Sequence, residues 1–135
     1  MDQKRSHGLV KVACKARLRA VAPWSGFQVG AALMTASGKV ITGANVESAS
    51  YGLTCCAERV ALFTALTGGH KNFIAIAVVA DAAGGPMPCG ACRQLLIEYA
   101  PNAVVLVANP KRPRQIRNFT VRELLPSAFT DVPAA

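Results

Sequence analysis

FIAIAVVA (residues 73–80) and AVVLVA (residues 103–108) are uninterrupted apolar runs of strand length. A strand with one wet face alternates apolar and polar side chains, so a run without alternation needs cover on both faces. Gly84-Gly85-Pro86 ends the first run in a loop, a helix is expected from about Cys89 to Tyr99, and Pro101-Asn102 turns the chain into the second run. A strand-helix-strand unit of this kind makes its strands parallel neighbours through a right-handed crossover. The expected class is therefore α/β: a three-layer α/β/α arrangement around a mixed sheet of about five strands.

The rest of the chain supplies the other elements. Leu9, Val12, Ala13, Ala16, Ala20 and Val21 recur near helical spacing, which predicts a first helix from about Ser6 to Ala22, with Ser6 as cap and Pro23 as stop. FQVGAALMT and KVITGANV flank Ala36-Ser37-Gly38 and read as an antiparallel hairpin. A second helix is expected from about Thr54 to Leu66, ending at Gly68-Gly69. IRNFT is read as a last strand, with a short helix around Val121 to Leu125. The 135 residues fit one domain, with flexibility expected only at about 1–6 and 130–135.

No apolar run approaches the ~20 residues of a spanning helix, and MDQKRSHGLV lacks the apolar stretch of a signal peptide. A cytoplasmic protein without membrane association is the expectation. Thiols stay reduced there, so the five cysteines are read as core, metal or catalytic groups before disulfides. The formal charge of +8 and the cluster KRPRQIR from Lys111 to Arg117 invite a nucleic-acid reading. No aromatic residue interleaves with that cluster to stack bases, so a solvated basic face is favoured and nucleic acid is not expected as a partner.

Cys89 and Cys92 in PCGAC are three apart, a spacing that turns two thiols to one face of a helix. Alone, the pair is equally a redox couple, half of a zinc site or two buried residues. YGLTCCAERVALF adds Cys55 and Cys56 at a second helix start, followed at once by Glu58. Three soft ligands and a carboxylate suit a catalytic zinc, which leaves one position open, better than a structural zinc, which closes with four protein ligands. The spacing recommends neither His7 nor His70, and Cys14 and Cys55 are expected to pack as core. Residues two apart face nearly opposite sides of a regular helix, so Cys56 and Glu58 can meet only near the ion beyond the helix's first turn.

SGFQVGAAL, GANVESASYGLTCCAER and PCGACRQ, followed by ELLPSAF, together resemble the small zinc-dependent cytidine deaminases that act on free nucleosides. The matching segments run from about Ser25 to Phe129, and Cys56 stands where many relatives carry histidine. The resemblance implies one zinc on Cys56, Cys89 and Cys92, Glu58 as proton carrier in hydrolytic deamination of cytidine and 2′-deoxycytidine, and a role in pyrimidine salvage. It also implies a homotetramer with active sites shared between subunits.

By the same resemblance Asn45 and Glu47 clasp the ribose, Phe27 lies against the pyrimidine, Tyr51 lies near the sugar, and Phe129 reaches a neighbouring subunit's site. The backbone N–H of Ala57 is placed to hold the base oxygen. Three thiolates outweigh one zinc in charge; helix N-termini and Arg59, which contacts the thiolates in the resembling family, are the expected offsets. Trp24 departs from the tyrosine common among relatives and alters the pocket mouth. The competing readings are a deaminase of RNA or DNA, a non-catalytic zinc-stabilised nucleic-acid-binding protein, and a C-x-x-C oxidoreductase.

Overall fold

A computed structural model describes residues 1–131; Val132 to Ala135, part of the end expected to be flexible, lie outside the described residues. The chain runs α1 (Gln3–Arg17), β1 (Val29–Thr35), β2 (Val40–Ala44), a 3-10 turn (Tyr51–Leu53), α2 (Ala57–Thr67), β3 (Phe73–Ala80), α3 (Gly90–Tyr99), β4 (Val104–Ala108), β5 (Arg117–Thr120) and α4 (Val121–Leu124). The five strands form one sheet in the order β2-β1-β3-β4-β5. β1 pairs antiparallel with both β2 and β3, β4 pairs antiparallel with β5, and β3 and β4 are the parallel pair crossed by α3. The mixed sheet is the one expected from the two apolar runs.

Both faces are covered. On one, Leu33, Ile76, Val78, Val105 and Val107 pack with Ala61, Leu62 and Ala65 of α2, Leu96 of α3 and Val121 of α4. On the other, Leu9, Val10 and Ala13 of α1 meet Ala32, Ala75, Ala77, Val79 and Leu106. β3 and β4 are buried along nearly their whole length, which is why neither alternates in sequence.

Two glycines set how closely the helices approach. A Cβ on Gly30 would lie 2.2 Å from the Ala13 carbonyl oxygen of α1, and one on Gly43 would lie 2.5 Å from both Ala57 O and Ala61 N of α2. Real side chains do not tolerate such contacts with backbone. Gly43→Ala is expected to push α2 off the sheet and to lower stability by about 2 kcal/mol, the scale of overpacking in a tight core. Thermal melting checks this; a Tm within a degree of the parent would mean that α2 can step back without cost.

The helix ends differ from the expectation in ways that matter. α1 begins at Gln3 with Asp2 as cap, its carboxylate accepting from Arg5 N at 2.8 Å; Ser6, expected as the cap, is instead buried within the helix. Residues 3–6 thus form helix where a flexible end was expected. α1 also stops at Arg17, well short of Pro23. Val21 is claimed by the sheet side: its N–H donates to Asn45 O and its carbonyl accepts from Glu47 N. α2 starts at Ala57 and not Thr54, because Cys55 exchanges two backbone hydrogen bonds with Val46, holding the chain extended up to Cys56.

Candidate metal centre and active site

Cys56 and Cys89 occupy equivalent places, each the N-cap of its helix with extended backbone: φ −68°, ψ 151° at Cys56 and φ −68°, ψ 168° at Cys89. Helix caps are ordinarily Ser, Thr, Asp or Asn, whose oxygen accepts from the first turn. Here neither side chain makes that bond. Their sulfurs are directed to each other across the mouths of α2 and α3, and Cys92, one turn into α3 and buried, completes the group. Cys56 Sγ is 3.8 Å from Cys89 Sγ, Cys89 Sγ is 3.5 Å from Cys92 Sγ, and all three lie within 4.8 Å of one another.

These spacings fit zinc. A tetrahedron with zinc–sulfur bonds of about 2.3 Å has sulfurs separated by about 3.8 Å, so the thiols need little rearrangement to share an ion. Among the described residues no fourth ligand joins the group, which is the donor set of a site with a vacant position. The geometry also settles which of the adjacent cysteines belongs. Cys56 enters the cluster, whereas Cys55, held extended one residue earlier, does not. Cys55 is not core either: it is half-buried and lines the cleft beside the thiols. Cys14 packs against the α1 side of the core as expected.

The thiols do not titrate alike. Contact with Cys92, reinforced by hydrogen bonds from Arg59 and Cys89, draws Cys56 down to about 5 against the opposing effect of burial. Cys92 is pushed far up, first by its interaction with Cys56 and then by burial. One thiolate and one firmly held thiol is the arrangement expected of neighbouring sulfurs that share charge. Arg59 Nη2 donates to Thr54 O at 3.1 Å and to Cys56 Sγ at 3.5 Å, bringing a fixed positive charge to the sulfurs as the resemblance implied. Arg59 Nε is buried and without an acceptor among the described residues.

Glu58 stands on the second residue of α2 and is buried, 5% exposed. The difficulty of bringing it to the same place as Cys56 disappears because Cys56 is a cap with extended backbone and does not follow the helical rotation. Burial raises the Glu58 carboxyl above its ordinary range, with the Cys56 thiolate adding to the rise and a hydrogen bond involving Cys92 opposing it. A carboxyl whose proton affinity has been raised in a cleft is suited to proton transfer.

The cleft above the thiols measures about 220 Å³, and Phe27, Asn45, Cys56, Ala57, Glu58 and Cys89 contribute to its walls. Beside it a second cleft of about 450 Å³ is lined by Trp24, Ser25, Glu47, Ser48, Tyr51 and Thr54. Thr54 lines both. Phe27, Asn45, Ala57 and Glu58 thus line the cleft above the thiols, and Glu47 and Tyr51 the one beside it. Phe129 is not: its side chain is exposed, lines neither cleft, and its carbonyl accepts from Gln94 Nε2 at 2.8 Å.

Asn45 and Glu47 line different clefts, and the first partners of both are protein. Asn45 Oδ1 accepts from Val29 N at 2.8 Å while its Nδ2 donates to Phe27 O at 2.9 Å. Glu47 Oε1 accepts from Trp24 N and Ser25 N, each at 3.1 Å, and Oε2 accepts from the Ser25 hydroxyl, whose oxygen also accepts from Phe27 N. The Ser25 hydroxyl and these backbone donors hold the Glu47 carboxyl below its ordinary range. Together the two side chains fasten the segment 24–29 that carries Phe27. One amide N–H and unused oxygen lone pairs remain for a ligand.

Ser25, Met87 and Pro86 were not singled out from the sequence. Ser25 was legible in principle, inside SGFQVGAAL two residues before Phe27. Pro86 and Met87, from the loop between β3 and α3, also line the cleft.

Comparison with known proteins agrees with this geometry. Residues 3–108 match the family model described as the cytidine and deoxycytidylate deaminase zinc-binding region. The cytidine deaminase of Halalkalibacterium halodurans is 53% identical over 123 residues, covering 90% of this chain and 92% of that protein. The cytidine deaminase of Sporosarcina psychrophila is 44% identical over 123 residues, covering 90% and 89%. The crystal structure of cytidine deaminase from Burkholderia pseudomallei superposes with a TM-score of 0.87 at 50% identity, covering 91% of this chain and 98% of that one. With its three sulfurs grouped at two helix mouths and a family match across most of its length, the chain belongs to the zinc-binding cytidine and deoxycytidylate deaminase family.

Proposed function

We propose that this chain, with residues 1–135 acting as one domain, catalyses hydrolytic deamination of cytidine and 2′-deoxycytidine in the cytoplasm, in the service of pyrimidine salvage. The observation that carries the reading is the buried Glu58 carboxyl beside three sulfurs grouped for one ion, at the base of a cleft. A zinc-stabilised scaffold would have no use for a carboxyl desolvated there.

The reaction forms a C–O bond at C4 of the base and breaks the C4–N bond; one hydrogen of water ends on N3 and the other on the departing ammonia. Cys56, Cys89 and Cys92 would hold the zinc, which would supply the Lewis acidity that activates water near neutral pH. Glu58 accepts a proton at its carboxylate and passes it to N3, then carries the second to the amino nitrogen, making a poor leaving group a good one. Phe27 forms a flat wall for the ring. Ala57, at the first position of α2, has a backbone N–H free of helical partners and suited to the base oxygen. The remaining hydrogen-bonding capacity of Asn45 and Glu47 serves the sugar hydroxyls, with Tyr51 and Trp24 at the wider end.

Phe129 enters the reading as a contribution to a neighbouring subunit's site within a homotetramer. Its support is exposure: Trp24 is 61% exposed, Tyr51 86%, Leu53 73% and Phe129 67%, an apolar set that a second copy would cover. The fitting assay follows the ultraviolet change of cytidine with zinc-loaded protein, in the presence and absence of single-stranded RNA or DNA containing cytosine. Conversion of cytidine, undiminished by the competitor, is expected. Conversion of cytosines in the strand with free cytidine untouched would overturn it.

Arg59→Ala is expected to lower turnover about tenfold at matched zinc content, because a charge-assisted contact to a ligand sulfur is lost. The effect on melting should be smaller. Equal turnover in zinc-loaded variant and parent would remove Arg59 from the charge balance of the site.

A further inference from the structure

The basic run KRPRQIR does not form one face. Lys111, Arg112 and Arg117 line a cleft of about 560 Å³ with Ala83, Gly84 and Asn109, whereas Arg114 lines an adjoining cleft with Ser6, His7 and Asn118, and Ile116 stands between the two. The larger cleft shares no lining residue with the thiol cleft. We propose that it is a binding site for the phosphate groups of a nucleoside di- or triphosphate, distinct from the deamination site.

Four features carry the assignment. First, three cations and no carboxylate line the cleft. The neighbouring acid, Asp81, pairs with Lys111 at 3.1 Å; Arg112 N donates to Asn109 O at 2.9 Å, and the Arg112 guanidinium has no hydrogen-bonding or ionic partner among the described residues. Second, Arg117 is held in place before any ligand arrives: Nε donates to Gly84 O at 3.0 Å, Nη2 contacts Met87 Sδ at 3.4 Å, and the guanidinium lies 5.6 Å from the centroid of the Phe119 ring. A guanidinium fixed in this way retains other N–H groups for phosphate oxygens at reduced entropic cost.

Third, the walls are tied together. Asn109 Nδ2 donates to Ala82 O at 2.8 Å, and its Oδ1 accepts from Lys111 N at 2.9 Å, so the loop bearing Lys111 and Arg112 is anchored to the turn after β3. Fourth, the volume falls within the roughly 300–1,000 Å³ of small-ligand sites, and a lone orthophosphate would leave most of it empty. A nucleic-acid strand is disfavoured because no aromatic residue lines the larger cleft to stack successive bases.

The test is calorimetric titration of the zinc-loaded protein with inorganic pyrophosphate and, separately, adenosine 5′-triphosphate, whose adenine is not a pyrimidine competitor for the thiol cleft. One saturable site per chain is expected for at least one probe, weakening about tenfold or more in the Lys111→Ala/Arg112→Ala double variant. Cytidine turnover by that variant should stay within about twofold of the parent, showing that the fold is intact. Pyrophosphate binding as tightly as the nucleotide would assign recognition to the phosphates alone, and tighter nucleotide binding would add its base or sugar; either supports the site. The proposal is overturned if neither probe saturates by about 1 mM, if the double variant binds like the parent, or if a ten-nucleotide single strand binds tenfold more tightly than the nucleotide. Because the readout is binding, its failure would leave the deaminase reading untouched, and loss of deamination would leave this one standing.

Discussion

Glu58→Gln is expected to reduce cytidine turnover by about a thousandfold while the protein keeps its zinc. The substitution conserves shape and hydrogen-bonding size, and the three sulfurs that hold the ion are not altered. What it removes is the ability to take up and release a proton, an ability that general acid–base groups convert into roughly 10²- to 10⁴-fold in rate. The expected effect lies toward the upper part of that range because Glu58 serves two successive transfers and because the site offers no obvious substitute. The neighbouring carboxylate, Glu47, is occupied by Trp24 and Ser25 and lies in the adjacent cleft. Turnover followed by ultraviolet absorbance, with zinc measured in the same samples, decides the matter. Undiminished turnover at matched zinc would show that the carboxylate is not the proton carrier.

Removal of zinc is the second large effect: turnover should vanish and Tm should fall by roughly 15 °C. A ligand present at about a thousand times its dissociation constant stabilises the native state by about 4 kcal/mol, which corresponds to a shift of this size in a chain of this length. The cysteines span the starts of α2 and α3, so the ion joins two helices that otherwise meet through few side chains. The pH dependence has a definite sign. Cys56, drawn down to about 5, is already a thiolate at neutral pH, whereas Cys92 is pushed up and still holds its proton. Binding of zinc near pH 7 should therefore release at least one proton and fewer than three. As pH falls, protons compete for the sulfurs and the metal-linked stability is lost on the acid side. Calorimetry in buffers of different ionisation enthalpy counts the protons, and melting with and without chelator measures the stability. Unchanged melting and turnover in protein verified to be metal-free would contradict the centre outright.

Several features were legible from local pattern because they depend on burial alone. FIAIAVVA and AVVLVA read as covered strands, and the hairpin around Ala36-Ser37-Gly38 followed from a short Gly-containing turn between two strand-length segments. The start of α1 was misplaced because Asp2 and Ser6 are both acceptable caps, and only packing against the sheet shows that Ser6 faces inward. The end of α1 was misplaced for a related reason: Val21 continues the helical spacing, but its backbone hydrogen bonds are claimed by Asn45 and Glu47, far away in sequence.

The candidate site divides in the same way. PCGAC announces two thiols on one helix face, and CCAE a third thiol near a carboxylate. The choice between Cys55 and Cys56 needed the bridge between Val46 and Cys55, a contact that no spacing within the helix reveals. The double engagement of Asn45 and Glu47 with segment 24–29, and the splitting of KRPRQIR between two clefts, likewise depend on which loops the sheet brings together.

By itself, then, the order of residues determined the covered strands, the alternation of helix and strand, and the chemical types available for a metal and a proton carrier. Hydrophobic periodicity and ligand chemistry are properties of neighbours along the chain. Only the tertiary structure decided which sulfurs meet, how far Glu58 is withdrawn from water, and where the basic residues point. The first two depend on the backbone bridge between Val46 and Cys55 and on the close approach of α2 at Gly43, the third on the Asn109 bond to Ala82, and such contacts exist only once the sheet has formed.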